Sequence, residues 1–367
     1  MSKAATQKPA GLFLLEGISC LVFNKDFKQC ALSKNDNKIY IYNVPDIMKT
    51  DTWKLETTLE AHLQYISGLD WCHHSNEILS CSHDKTAFVW QNSGGKWSSS
   101  NVVATTKLGY LCCKWNKTGS KFCAGTSAKQ LLIGYYNTGS NWWMGMPIKV
   151  HKSSVCCCEI DPTSLFVISG SSDMRVYVSS CYIPQVDDSQ LTDATKGLAQ
   201  KFGEVIYEFK VGSWVNSVCW NNSGSLGFAS SQSATISVLD KNKKETEVIK
   251  CNHSPANLIV PNGDDSFYAV CYDRHIYEYK LTGGKWAVAR KVTEDKKGGA
   301  QKQEEKRGSV SDALKKFQTM GMQKKENLIV SSKASSNVHG GLISSVNIKG
   351  KDMMTTDFAG FVKYWKL

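Results

Sequence analysis

Between Ala61 and Trp90 the chain reads AHLQYISGLDWCHHSNEILSCSHDKTAFVW, three short strand-like runs that each end in turn chemistry. Ile66, Leu69 and Trp71 make an apolar run closed by HHSN, and Glu77 to Cys81 make a second closed by SHDK. Ala87 to Trp90 make a third, rich in β-formers. His62 precedes the first run, Asp84 stands in the tight turn before the third, and Trp90 ends it. The spacing is twenty-two residues from His62 to Asp84 and six from Asp84 to Trp90. This unit recurs along the chain. The position of Trp71 is tracked to Phe23, Trp115, Ile160, Trp220, Val260 and Ile348, with steps of 48, 44, 45, 60, 40 and 88 over the seven positions. A unit this short cannot bury its own faces, so neighbouring copies must stack on one another.

A His–Asp–Trp repeat with a period of about 40 to 45 residues resembles the WD40 repeat, one blade of a β-propeller. The expected fold is all-β: a seven-bladed WD40 β-propeller with a helix-bearing insertion before the last blade. The turn Asp recurs at Asp36, Asp84, Asp173 and Asp273, and six residues later stand Tyr42, Trp90, Ser179 and Tyr279. His151 lies twenty-two residues before Asp173, and His253 twenty before Asp273. Lys129, Ser233 and Ala359 are assigned to the Asp slot of the third, fifth and seventh repeats, with Asp357 two residues early in the seventh. Those blades must hold their turns by other means. The last strand of each blade comes from the start of the next repeat, so Leu12 to Leu15 should complete the sheet that ends at Trp365. That strand would close the ring and remove its open edges. The expected layout is a disordered tail over 1–11 and a single propeller over 12–367. Within the propeller, 184–204 is read as a long loop between blades and 293–336 as an insertion.

With 41% hydrophobic residues and 10% aromatics in 367 residues, there is ample material for a core. No stretch reaches the roughly 18 apolar residues of a membrane span, and no charged leader precedes an apolar run, so a soluble intracellular protein without a membrane span is expected. The 14 cysteines include no CxxC pair. Cys112 with Cys113, and Cys156 to Cys158, sit inside first strands, where neighbours point to opposite faces and cannot share a metal. They read as small buried hydrophobes in a reducing compartment. No metal or cofactor is expected.

His62, Ser80 and Asp84 have the composition of a hydrolase triad. In a blade of this kind the same residue types form a buried hydrogen-bond tetrad with Trp90, linking the loop before the blade to its second and third strands. The chain also lacks a Gly-rich phosphate loop, a nucleophile elbow, an HExxH site and a paired-carboxylate motif. No enzyme is expected.

The two longest steps hold the insertions. Residues 184–204 are polar, with Asp187, Asp188, Asp193, Lys196 and Lys201, and read as a solvated connector. Residues 293–336 open with TEDKKGGAQKQEEKRG, a composition expected to be disordered. The following SVSDALKKFQTMG predicts a short amphipathic helix over 310–320. Ser309 and Asp312 make a capping box, and Gly321 is a suitable stop. Val310, Leu314 and Phe317 recur at i, i+4 and i+7, with Met320 nearby, so they form one apolar stripe. A helix this short is marginal alone in water. It needs a surface, either its own propeller or an apolar groove on a partner.

Over essentially its whole length the sequence resembles the WD40-repeat subunit of the actin-related protein 2/3 complex, the family often called subunit 1. The resemblance is carried by LFLLEGISCLVFNKD with its ALSKND turn, by SHDKTAFVW, and by NWWMGMPIKVHKSSV at Asn141 to Val155. It continues through CYIPQVDD from Cys181, through KFGEVIYEF and GSWVNSVCWNNSGS between Lys201 and Ser225, and through SVSDALKKFQTM. The resemblance implies a non-catalytic scaffold in a seven-subunit assembly that nucleates actin branches, in the cytoplasmic actin cytoskeleton. Such a subunit packs against its neighbours and holds the two actin-related proteins. Its helical insert would reach an actin or actin-related groove with Val310, Leu314, Phe317 and Met320. The family is also implicated in receiving acidic tails of nucleation-promoting factors, and a net charge of +11 suits an acidic peptide. Lys85 and Arg175, which follow the turn Asp of their blades, are read either as contacts for such a tail or as solvated rim charges. Two other readings share the fold: an adaptor propeller of another complex, and a basic propeller that binds RNA or chromatin. Against the last, no Arg-rich or RGG tract is present and the aromatics fall at strand positions, so nucleic acid is not an expected partner.

Overall fold

The computed structural model describes residues 12–13, 17–193, 195–293 and 339–367. The first blade consists of β2 (Cys20–Phe23), β3 (Gln29–Ser33), β4 (Lys38–Asn43) and β5 (Lys54–Glu60). The second consists of β6 (Ile66–Trp71), β7 (Ile78–Ser82), β8 (Ala87–Ser93) and β9 (Lys96–Val103), and the third of β10 (Tyr110–Trp115), β11 (Lys121–Thr126), β12 (Leu131–Asn137) and β13 (Trp142–Ile148). The fourth has β14 (Val155–Ile160), β15 (Phe166–Ser171), β16 (Arg175–Ser180) and β17 (Val205–Lys210). The fifth has β18 (Val215–Trp220), β19 (Leu226–Ser231), β20 (Thr235–Asp240) and β21 (Glu245–Lys250). The sixth has β22 (Ala256–Pro261), β23 (Ser266–Cys271), β24 (Ile276–Thr282) and β25 (Lys285–Lys291). In the seventh, β26 (Ile343–Lys349), β27 (Asp352–Asp357) and β28 (Phe361–Lys366) are completed by β1 (Leu12–Phe13), from the other end of the chain. Leu12 pairs with Val362 and Phe13 with Phe361, so the ring is closed by backbone hydrogen bonds.

Each blade grades from a buried interior to a wet edge. The second strands β7, β11, β15 and β23 are buried at every position, which is why they read ILSCS, KFCAGT, FVISGS and SFYAVC. Small residues let the blades approach: a Cβ on Gly125 would meet the Val155 carbonyl oxygen at 2.5 Å. The outer strands β5, KLETTLE, and β21, ETEVIK, present charges to water and so discourage edge-to-edge pairing. The exception is β9, whose edge pairs in parallel with β13 at Val102↔Trp143 and Val103↔Met144, fusing the second and third blades into one sheet.

In six blades the first strand carries a register shift just after its first residue, at Ile66, Tyr110, Val155, Val215, Ala256 and Ile343. Counting from that fixed point corrects one repeat assignment: the residue equivalent to Trp71 in the sixth blade is Pro261, not Val260. The run LIVP has no polar residue to mark its two faces, and in a strand a one-residue slip exchanges them.

Residues 184–204 are more than a solvated connector. They begin with one helical turn, Pro184–Asp187, and Asp187 is buried. Its carboxylate lies 2.7 Å from Lys121 Nζ, which is itself fully buried and also donates to the carbonyls of Ser164 (2.6 Å) and Cys181 (2.8 Å). A buried ion pair supplied with further hydrogen bonds pins this loop to the third and fourth blades. The expected tail over 1–11 and the expected helix over 310–320, with Val310, Leu314, Phe317 and Met320, lie outside the described residues.

Removing residues 1–16 would leave β28 with an unpaired edge. The expected result is a thermal midpoint lower by several degrees and concentration-dependent aggregation, measured by scanning fluorimetry and light scattering. An unchanged midpoint would mean that closure contributes little.

Candidate functional site

The polar groups inside the second blade form a relay. Trp90 Nε1 donates to Ser80 Oγ at 2.8 Å, and Ser80 Oγ lies 2.8 Å from His62 Nε2. His62 Nδ1 lies 3.2 Å from Asp84 Oδ2, which also accepts the Leu63 amide at 2.7 Å. A carboxylate only accepts, so Nδ1 carries the imidazole proton and Nε2 accepts from the serine. Burial lowers the His62 pKa, the opposing pull of Asp84 being smaller, and the ring is neutral at physiological pH. As chemistry this arrangement is closed. Ser80 has no exposed surface and its oxygen already receives the Trp90 N–H, so it cannot reach a substrate.

Other blades repeat the device with substitutions. In the fourth, His151 contacts Asp173 (3.1 Å) and Ser169 (2.9 Å), while the buried Ser179 stands where a Trp would. In the seventh, His339 contacts Asp357 (3.0 Å) and Thr355 (2.5 Å), and Trp365 Nε1 donates to Thr355 Oγ1 (2.7 Å). Asp357 acts from the end of its strand rather than from the turn. Its Oδ1 still accepts the amides of Ala359 and Phe361, so the turn is held although Ala359 occupies the Asp slot. Sequence reading missed this set; a His eighteen residues before Asp357 was the available signal. In the sixth, His253 bonds Tyr279 Oη at 2.6 Å, and Asp273 turns to Tyr277. The fifth blade holds its turn with hydroxyls, Ser231 to Ser233 (2.8 Å) and to Thr235 (2.6 Å). In the third, the bond from the Thr126 amide to the Gln130 carbonyl matches that from Ser82 to Thr86. Ala128 therefore takes the Asp slot, and Lys129 is the counterpart of Lys85.

These turns form one rim of the propeller. Lys85, Lys129 and Arg274 occupy the same left-handed turn position (φ 72°, 65° and 67°) and all are exposed. Arg175 is placed differently. The Lys85 counterpart in its blade is Met174, and the Arg175 guanidinium is ion-paired with Glu208 on β17. On the same rim stand exposed apolar side chains: Leu63 (84% exposed), Leu108, Met174, Trp214 (64%), Tyr272 and Phe358.

The first strands of all seven blades surround a central cavity of about 610 Å³. Asp70, Lys114 and Glu159 occupy equivalent positions on three successive blades. The Asp70 carboxylate accepts the Trp115 amide at 2.7 Å and lies 3.7 Å from Lys114 Nζ. Burial pushes the Glu159 carboxyl up to about 7 despite Lys114 beside it. Among the described residues no group of three or more His, Cys, Asp or Glu side chains is arranged to hold a metal, and no helix is long and apolar enough to cross a membrane.

Four-stranded blades in a closed ring, with His–Asp relays under one rim, define a WD40-repeat β-propeller. Residues 53–91 and 146–178 match the family model described as WD domain, G-beta repeat. Actin-related protein 2/3 complex subunit 1A-A of Xenopus laevis is 30% identical over 266 residues, 71% of this chain and 70% of the relative. Subunit 1A of Arabidopsis thaliana is 33% identical over 211 residues, 57% of this chain and 55% of the relative. The chain belongs to the actin-related protein 2/3 complex subunit 1 family.

Trp90→Ala removes the large aromatic that starts the relay and should cost roughly 3 to 5 kcal/mol in urea denaturation. Full stability of this variant would mean that the relay is not a structural element. Glu159 generates a pH prediction. Its folded-state pKa lies above the ordinary value of 4.5, so its contribution to stability is complete at low pH and is lost as pH rises from about 4.5 to about 7. Glu159→Gln should therefore gain on the parent chain as pH rises through that window. A pH-independent difference between the two would contradict the burial of this carboxyl.

Proposed function

We propose that this chain is the propeller subunit of an actin-related protein 2/3 complex, a non-catalytic scaffold in the cytoplasmic actin cytoskeleton. The observation that carries this reading is similarity over about two thirds of the chain to relatives named as subunit 1 of that complex. The rim supports it: exposed apolar side chains alternating with Lys85, Lys129 and Arg274 suit protein partners, and the cations suit an acidic tail. In this reading Lys85 is a contact for such tails of nucleation-promoting factors. Arg175, engaged by Glu208, would have to exchange partners to join it.

The amphipathic stripe of Val310, Leu314, Phe317 and Met320 is the actin-facing element. Each such side chain is worth roughly 1.5 to 3 kcal/mol when buried. That is enough to add to a larger interface but not to form one alone. Phe317→Asp should leave the thermal midpoint of the propeller unchanged and lower branch density in pyrene-actin and microscopy assays of the reconstituted complex. Unchanged branching would remove this stripe from the function.

A further inference from the structure

Near the central cavity, side chains of one first strand reach the backbone of the next blade. Ser67 Oγ donates to the Tyr110 carbonyl at 2.8 Å, Asn216 Nδ2 to Ala256 at 2.9 Å, and Asn257 Nδ2 to Ile343 at 3.1 Å. Each donor stands one residue after the start of its strand. In the third blade that position is Leu111, which has no group to donate. Two thiols meet across this interface instead: Cys112 Sγ of β10 lies 3.6 Å from Cys158 Sγ of β14. Both line the cavity, Cys112 half-buried and Cys158 buried.

We propose that Cys112 and Cys158 form a peroxide-sensitive dithiol whose disulfide staples the third and fourth blades together. The two sulfurs have different roles. The thiol–thiol contact holds Cys112 below its ordinary range against the upward push of burial, and the same contact raises Cys158. The Gly125 amide and the Lys114 ammonium act on Cys112 in the same direction. Burial pushes Cys112 upward as well but is outweighed there; elsewhere it prevails, pushing Cys20 up to about 12 and raising Cys157 and Cys219. Cys112, the less buried of the two at the cavity wall, is the attacking thiolate and the buried Cys158 the resolving thiol.

The Cys112 thiolate attacks one oxygen of hydrogen peroxide. A sulfur–oxygen bond forms as the oxygen–oxygen bond breaks, giving a sulfenic acid and hydroxide, which takes up the proton Cys112 had released. Cys158 sulfur then attacks Cys112 sulfur, and the hydroxyl leaves with the Cys158 proton as water. Two thiols and one peroxide become one disulfide and two waters. The sulfurs must close from 3.6 Å to about 2.05 Å as the bond forms. The staple would join residues 46 apart in sequence, at the junction where the Leu111 side chain has no group to donate.

The test uses the full-length chain, exposed to graded hydrogen peroxide, alkylated, digested and analysed by mass spectrometry. The expected product is a Cys112–Cys158 link that dithiothreitol reverses. Cys112→Ser should abolish it and Cys113→Ser should not. The oxidised protein should melt a few degrees higher than the reduced one. In Cys158→Ala the sulfenic acid at Cys112 should persist and be trapped by dimedone. Alkylation of both thiols at peroxide doses that already oxidise Cys20 or Cys156 would overturn the proposal, as would a link from Cys112 to any other cysteine.

Discussion

Burial of both faces of the second strand in every blade is the constraint on which the structure depends. A strand with water on neither side must satisfy every polar group internally, because an unpaired buried donor or acceptor costs about 1 to 3 kcal/mol. Ser80 in β7, Ser169 in β15 and Thr355 in β27 are such groups, and each is met by an imidazole from the loop before its blade. The imidazole in turn is met by an aspartate, and the aspartate accepts amides of its own turn or of the loop. The relay is a consequence of stacking sheets face to face. Its product is a rim whose loops are held at fixed positions, the condition for presenting a reproducible surface to a partner.

A second set of contacts acts around the cavity, where serine and asparagine side chains tie one first strand to the next. Asp70 and Glu159 serve the same end by accepting amides of Trp115 and Trp220. At the closing junction, Asn347 Nδ2 donates to the Leu21 carbonyl at 2.9 Å, joining residues 326 apart in sequence. A ring built of local meanders is thereby held by a few bonds of very long separation. The closing pair of β1 with β28 belongs to that group.

Most of the fold is legible in the sequence because the repeat is written in large aromatics and turn aspartates at fixed spacing. The slips are instructive. The sixth repeat slipped at Val260 because LIVP lacks polar alternation, and the third because Lys129 is polar while the residue in the Asp slot is an alanine. The seventh looked defective because Asp357 sits two residues early, and only the geometry shows that it reaches His339 from there. The Lys121–Asp187 pair and the Cys112–Cys158 contact carry no sequence signal. Each joins residues far apart in the chain, and charges in a polar loop or cysteines in a strand read as solvated or inert until their neighbours are known. The rim cations were half legible: Lys85 stands at an exposed turn position, whereas Arg175 is tied to Glu208.

The fold supplies a rigid ring, the rim supplies apolar and basic side chains aimed at solvent, and nothing in the relays is open to a substrate. The scaffold role proposed for this chain rests on that rim being held among other subunits. The most direct measurement is native affinity purification of the tagged chain from its own cells, with co-purifying proteins identified and quantified by mass spectrometry. Recovery of two actin-related proteins together with several small subunits in fixed ratio is the predicted result. Recovery of the propeller alone, or in company with RNA-binding proteins, would contradict the scaffold role and leave only the fold.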